Sequence, residues 1–300
     1  MLKGSIVALI TPFKHDESID FLALSRLIDF HLLSETDAIL FNGTTGESPT
    51  ISLSEFEEIG DYIVRKVDGR IPVIAGIGGN NTKSVILNAR TAERIGADYL
   101  LVVSPAYNKP SPGGIRDYYK SVAYNTSLPI IMYNVPGRTA SNIPVDIIIE
   151  LGKEIDNIIG VKEASGNMDR YMEIIHKSSE TFSVFAGDDS IALPAVLMGG
   201  KGCISVVANQ IPEEFSTMMA LGLQNKVKEA RDIHYKYLPL MLSNFIESNP
   251  IPVKTALSEM GFCECVFRSP LCKMEYQNQV KYLELLESYN LIESRIQAIT

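Results

Sequence analysis

The residues able to do chemistry in this 300-residue chain sit where short apolar runs end, and Lys162 is the most informative of them. It closes the run Ile158-Ile159-Gly160-Val161-Lys162-Glu163-Ala164-Ser165, which reads as a buried strand ending in an amine. Burying an ammonium is costly unless it is paired or neutralised. Desolvation lowers an amine's pKa by up to about 3–5 units, which raises the neutral, nucleophilic fraction near neutral pH. The plainer reading is a lysine that snorkels into solvent or pairs with Glu163.

Other polar groups recur at the ends of such runs. One run ends in Gly43-Thr44-Thr45-Gly46-Glu47, where two hydroxyls between glycines could cradle a small carboxylate. Another ends in Ser104-Pro105-Ala106-Tyr107-Asn108-Lys109-Pro110, and a third in Tyr133-Asn134-Val135-Pro136-Gly137-Arg138-Thr139. Arg138, in a Pro-Gly turn, suits a bidentate grip on a carboxylate. Gly187-Asp188-Asp189 and Ser205-Val206-Val207-Ala208-Asn209 close two more runs. A lysine amine among hydroxyls and one guanidinium supports Schiff-base catalysis: the amine condenses with a carbonyl, and the iminium acidifies the adjacent carbon to an enamine. A Thr–Tyr–Tyr hydroxyl relay suits the proton transfers. None of the four histidines ends a run; His31, His176 and His234 fall in helical patterns and His15 in the first loop. Metal and Ser-His chemistry are therefore not expected.

Eight apolar runs carry these groups: residues 6–13, 38–42, 71–77, 99–104, 129–135, 158–164, 182–187 and 202–208. They are continuously apolar rather than alternating, as parallel strands covered on both faces are. The segments between them read as helices. Asp20 is placed to cap one, Ser52-Leu53-Ser54-Glu55 has capping-box spacing, and Gly96 stops the helix carrying Val85, Ile86, Ala89 and Ala92. Strand–helix alternation eight times over predicts an α/β fold, a (β/α)8 TIM barrel over residues 1–224 whose active site lies at the C-terminal ends of the strands. An open doubly wound sheet is the alternative, but no G-x-G-x-x-G follows the first run. After Pro212 the pattern is helical only, in pieces near 213–246, 252–260 and 275–298. Residues 225–300 are thus expected to form a helical extension of the same domain.

Composition bounds the function. Hydrophobic content of 46% with 21% charged residues describes a soluble globular protein, and no apolar stretch approaches the length of a membrane span. Residues 1–6 run directly into a strand-like segment, which predicts no leader and a cytoplasmic location. A net charge of −9 argues against nucleic acid and anionic membranes as partners. Cys263, Cys265 and Cys272 lack a nearby histidine to complete a metal site, so all four cysteines, Cys203 included, read as free thiols.

The motifs G-T-T-G-E, Y-N-V-P-G-R-T, I-I-G-V-K-E-A-S, A-G-D-D and N-P-I-P-V-K, in this order, resemble the dihydrodipicolinate synthase / N-acetylneuraminate lyase family of class I aldolase-type barrels. The resemblance runs from about Gly4 to at least Lys254. It is closest to the members that condense pyruvate with aspartate 4-semialdehyde in the diaminopimelate route to lysine. It implies that Lys162 forms the Schiff base with pyruvate and Tyr133 transfers protons. Thr44 and Tyr107 would complete the relay, Tyr107 crossing from the neighbouring subunit of a tight dimer within a homotetramer. Thr45 would hold the pyruvate carboxylate, Ile204 would contact pyruvate through its backbone, and Arg138 with Gly187 would receive the semialdehyde. No metal or organic cofactor is implied.

Arg138 distinguishes this pattern from that of the sialic acid lyases. The nearest rival is another pyruvate-dependent aldolase, such as a 2-keto-3-deoxy sugar acid or N-acetylneuraminate lyase. A pyridoxal-phosphate enzyme lacks an obvious phosphate cup here, and a non-catalytic binding barrel would not need the whole relay. Lysine-inhibited relatives bind the effector at the tight-dimer interface. At the matching positions this chain keeps Ser48 and Asn80 but has Pro49, Leu53, Phe56, Ser84 and Ala106, so lysine insensitivity is expected.

Overall fold

The computed structural model describes residues 2–293. Eight strands, β1 (Gly4–Ala8), β2 (Ala38–Phe41), β3 (Val73–Gly78), β4 (Tyr99–Val103), β5 (Ile130–Asn134), β6 (Ile158–Glu163), β7 (Ser183–Ala186) and β8 (Gly202–Ser205), close in sequence order into a parallel barrel. Closure is made by β1 against β8, with Ile6 beside Ile204. The expected (β/α)8 barrel is therefore the fold. Seven of the eight strands end before their apolar runs do, as the last residues turn into the loops that carry the polar groups; β3 instead runs one residue past its run.

Alternation along each strand explains the continuous apolar runs. In β1, Ile6 and Ala8 belong to the barrel's interior cluster, with Leu40, Leu101, Tyr133, Phe185 and Ile204. Val7 between them belongs to the larger layer packed against the helices. Both faces are buried, so both need apolar side chains. In β6 the same alternation sends Val161 outward and aims Lys162 inward, while Glu163 points to the helix side and pairs with Arg170 at 2.9 Å. The plainer reading of Lys162, a pair with Glu163, is thereby removed.

Helix punctuation follows the side chains. The Asp20 carboxylate accepts from the amides of Leu22 and Ala23, and Ser52 with Glu55 forms a reciprocal capping box. Beyond β8, the stretch expected as one helical piece divides into Pro212–Leu223 and Val227–Ser243. Asn225 between them adopts a left-handed conformation that a continuing helix cannot contain. The next helix is Ile251–Glu259 and the last, Tyr276–Ser288, ends before Asn290, again left-handed. The remainder of the expected 275–298 helix lies in part outside the described residues.

The extension is tied to the barrel by a closed triangle. Gln210 donates to the Tyr282 hydroxyl (2.7 Å), Tyr282 to Asn244 (2.6 Å), and Asn244 back to Gln210 (2.7 Å). Each buried polar group thereby has a partner.

Candidate active site

At the C-terminal mouth of the barrel, Lys162, Tyr133, Thr44, Thr45, Arg138 and Gly187 line one cavity of about 60 Å³. Lys162 is 5% exposed. Among the described residues its amine makes no hydrogen bond or ion pair; Nζ stands 4.5 Å from the centroid of the Tyr133 ring. Tyr133 and Lys162 are adjacent because β5 and β6 pair in register at those two residues. The pairing places the amine over the Tyr133 ring.

Gly187 packs too closely for a side chain. A Cβ there would lie 2.4 Å from the Ala164 Cβ and 3.0 Å from the Lys162 Cε. The Ala164 contact excludes a side chain, and the lysine stem would have to give as well.

The Gly43–Glu47 loop is a compact turn. The Gly43 carbonyl accepts from the amides of Gly46 (3.1 Å) and Ser48 (3.3 Å), and Thr11 donates to the Gly46 carbonyl (2.7 Å). Glu47 takes a left-handed conformation and its carboxylate, fully buried, pairs with the equally buried Lys254. Burial pulls the Lys254 amine below its usual range, against the opposing pull of Glu47. Lys254 also donates to the Val266 carbonyl (2.9 Å) and lies over the Phe13 ring (4.2 Å). Arg268 adds its backbone amide to Glu47 at 3.2 Å, and its guanidinium pairs with Glu55. The helical extension thus fastens the loop that presents Thr44 and Thr45.

Two of the expected residues stand apart. Ile204 is buried in the barrel interior beneath the cavity rather than lining it. Tyr107 is 88% exposed, has φ of 69°, and does not reach the cavity of its own chain.

Asp188, Phe245 and Asn249 also line this cavity, although none was assigned a role from sequence. Asn249 donates to the Thr45 hydroxyl at 3.0 Å, and its backbone carbonyl accepts from Arg138 at 3.2 Å. The signal for it lay in the N-P-I-P-V-K motif, whose lysine reaches Glu47. Asp188 is half-buried, and burial raises its carboxyl pKa while the nearby Lys162 opposes the rise. Its neighbour Asp189 is fully committed to the amides of Val206 and Val207. Among the described residues, no group of histidine, cysteine and carboxylate side chains is arranged to hold a metal.

A second, larger cavity of about 420 Å³ adjoins the first, sharing Gly43, Thr44, Leu101 and Tyr133. Ser48, Pro49, Leu53, Phe56, Asn80 and Ala106 line it; Ser84 does not.

Comparison with known proteins identifies the family. The model of the dihydrodipicolinate synthetase family matches residues 1–289. The 4-hydroxy-tetrahydrodipicolinate synthase of Aquifex aeolicus is 47% identical over 97% of this chain and 99% of its own length. A crystal structure of dihydrodipicolinate synthase from the same organism superposes with a TM-score of 0.95 at 46% identity, over 97% of this chain and 100% of that one. The chloride-inhibited enzyme from Acinetobacter baumannii, solved with pyruvate, superposes with a TM-score of 0.95 at 38% identity, over 97% of this chain and 100% of that one. On both its sequence and its structure, this chain belongs to the dihydrodipicolinate synthetase family.

Proposed function

We propose that this chain condenses pyruvate, held as an imine on Lys162, with aspartate 4-semialdehyde to give 4-hydroxy-tetrahydrodipicolinate and water, in the diaminopimelate route to lysine. The observation that carries the reading is the buried, unpaired Lys162 amine facing the Tyr133 ring in a cavity that also holds Thr45 and Arg138.

The Lys162 amine attacks the pyruvate ketone, and loss of water leaves an iminium. Thr45 receives the pyruvate carboxylate. Tyr133, through Thr44, accepts a methyl proton, and the resulting enamine attacks the aldehyde of the second substrate, whose carboxylate Arg138 grips. The substrate's own amine then displaces Lys162 as the ring closes, which regenerates the free lysine. Ile204 supports the pyruvate site from below, and Gly187 leaves room beside the lysine stem.

Tyr107 supports a shared site: it projects from its own chain rather than into its own cavity. In this reading it completes the Tyr133–Thr44 relay of a neighbouring subunit in a tight dimer, two of which form a homotetramer. No described helix is long and apolar enough to cross a membrane, and the reaction belongs in the cytoplasm. No metal or organic cofactor enters the scheme.

The test is a direct assay of substrate choice. Purified protein should consume pyruvate with aspartate 4-semialdehyde and fail to cleave 2-keto-3-deoxy sugar acids or N-acetylneuraminate. Efficient sugar-acid cleavage with no semialdehyde condensation would overturn the proposal.

A further inference from the structure

Asn249 is 204 residues from Thr45 and 111 from Arg138 in the chain, yet it touches both. It is 5% exposed and borders the Lys162 cavity. Its segment joins the helices Val227–Ser243 and Ile251–Glu259. Five residues on, Lys254 grips Glu47, so this segment holds the Gly43–Glu47 loop at two points.

A threonine hydroxyl has one hydrogen and two lone pairs. Where the Asn249 amide donates to Thr45 Oγ1, one lone pair is occupied and the hydroxyl hydrogen is left to seek an acceptor elsewhere. Among the described residues no other side chain or backbone carbonyl takes it. The Asn249 Oδ1, in turn, is buried without a partner. A buried amide whose carbonyl oxygen goes unused lowers stability, so packing alone does not account for it. Reversing the amide would turn Oδ1 toward Thr45, absorb the hydroxyl hydrogen and leave the buried NH2 group without an acceptor.

We propose that Asn249 is a positioning residue that turns the Thr45 hydroxyl hydrogen into the cavity, toward the carboxylate of a 2-keto acid, while its backbone carbonyl sets the Arg138 guanidinium for a second carboxylate. One residue of the helical extension thereby aligns the receptors for both substrates. The inference rests on the pyruvate–semialdehyde reading above.

The test uses pyruvate half-saturation in borohydride trapping, the KM for each substrate, and thermal melts of the full-length protein. In N249D a near-isosteric carboxylate accepts the Thr45 hydrogen instead of donating to its oxygen. Pyruvate half-saturation should rise by about 10- to 100-fold, the size of a lost hydrogen bond to a charged group. The KM for the semialdehyde should stay near wild type, because the backbone carbonyl that holds Arg138 is unchanged. N249A, which leaves the hydroxyl free to rotate, should lose less than N249D. A packing role predicts the reverse order, since alanine leaves the larger void; that order, or wild-type pyruvate binding in N249D, would overturn the inference. Should N249D fail to fold, N249A combined with T45V decides: their effects on pyruvate should be far from multiplicative, and independence would overturn it. Absence of trapping in the wild-type protein would instead sink the underlying reaction.

Discussion

At the scale of single residues, the site works through what its charged groups lack. Among the described residues Lys162 makes no ion pair, and strand alternation sends Glu163 to the opposite face, where Arg170 and Asn134 occupy it. Among the described residues the Asn249 carbonyl alone accepts from the Arg138 guanidinium, which leaves its remaining donors for a ligand. Arg138→Ala should therefore lower kcat/KM for the semialdehyde by about 10- to 150-fold while pyruvate imine formation persists, as loss of one charge-assisted contact predicts. Steady-state kinetics beside pyruvate trapping checks this; equal damage to trapping would give the arginine another role. Lys162, Thr44, Thr45, Tyr133, Arg138 and Gly187 were legible in the sequence because strand ends face one rim of a barrel. Asn249 was visible only as part of the N-P-I-P-V-K motif; its contact with Thr45 is made by the folded chain alone. Asp188 stood at a run end in the A-G-D-D motif without a role, and Phe245 falls in the helical stretch, where nothing in its local spacing marks a cavity wall.

At the scale of elements, the helical extension is the part that sequence described least well and the site depends on most. Periodicity located its helices but not the left-handed Asn225 and Asn290 that divide or end them, since asparagine at such a position has no signature beyond its type. The Lys254–Glu47 pair fastens the extension to the Gly43–Glu47 loop. Lys254→Met leaves the Glu47 carboxylate buried without its cation, which should cost about 3–5 kcal/mol in urea denaturation and weaken pyruvate trapping as the loop loosens. Unchanged stability and trapping would show that the loop holds its shape without the pair. A second buried group, His31 in the first helix, makes stability depend on pH. Burial drops its pKa to about 3, against about 6.5 in the unfolded chain. The neutral ring thus contributes stability present above pH 6.5 and lost as pH falls toward 3. Between pH 6.5 and 5 that loss is about 2 kcal/mol. The stability gap between wild type and His31→Gln should narrow by this amount from pH 7 to pH 5 in urea titrations; a gap independent of pH would contradict it.

At the scale of the whole molecule, the barrel was legible because eight continuously apolar runs separated by capped helices admit few other closures. The larger cavity beside the site was not, although the positions that line it were named one by one. No carboxylate lines it. Apolar Pro49, Leu53, Phe56 and Ala106 face it instead, beside Ser48 and Asn80. An amino acid with a cationic side chain would bury its ammonium there unpaired. A missing charge partner costs about 3–5 kcal/mol, more than the typical 1–3 kcal/mol of an allosteric coupling. Millimolar lysine should leave the initial rate nearly unchanged, and half-inhibition below about a millimolar would show that the amine is recruited through other groups.

The covalent role of Lys162 is tested most directly by mass spectrometry after borohydride reduction in the presence of pyruvate. Wild-type protein should carry one pyruvate-derived adduct on the peptide containing Lys162, and Lys162→Ala, folded by its thermal melt, should carry none. An adduct of equal yield on the Lys162→Ala protein, or on a different lysine of the wild type, would contradict the assignment.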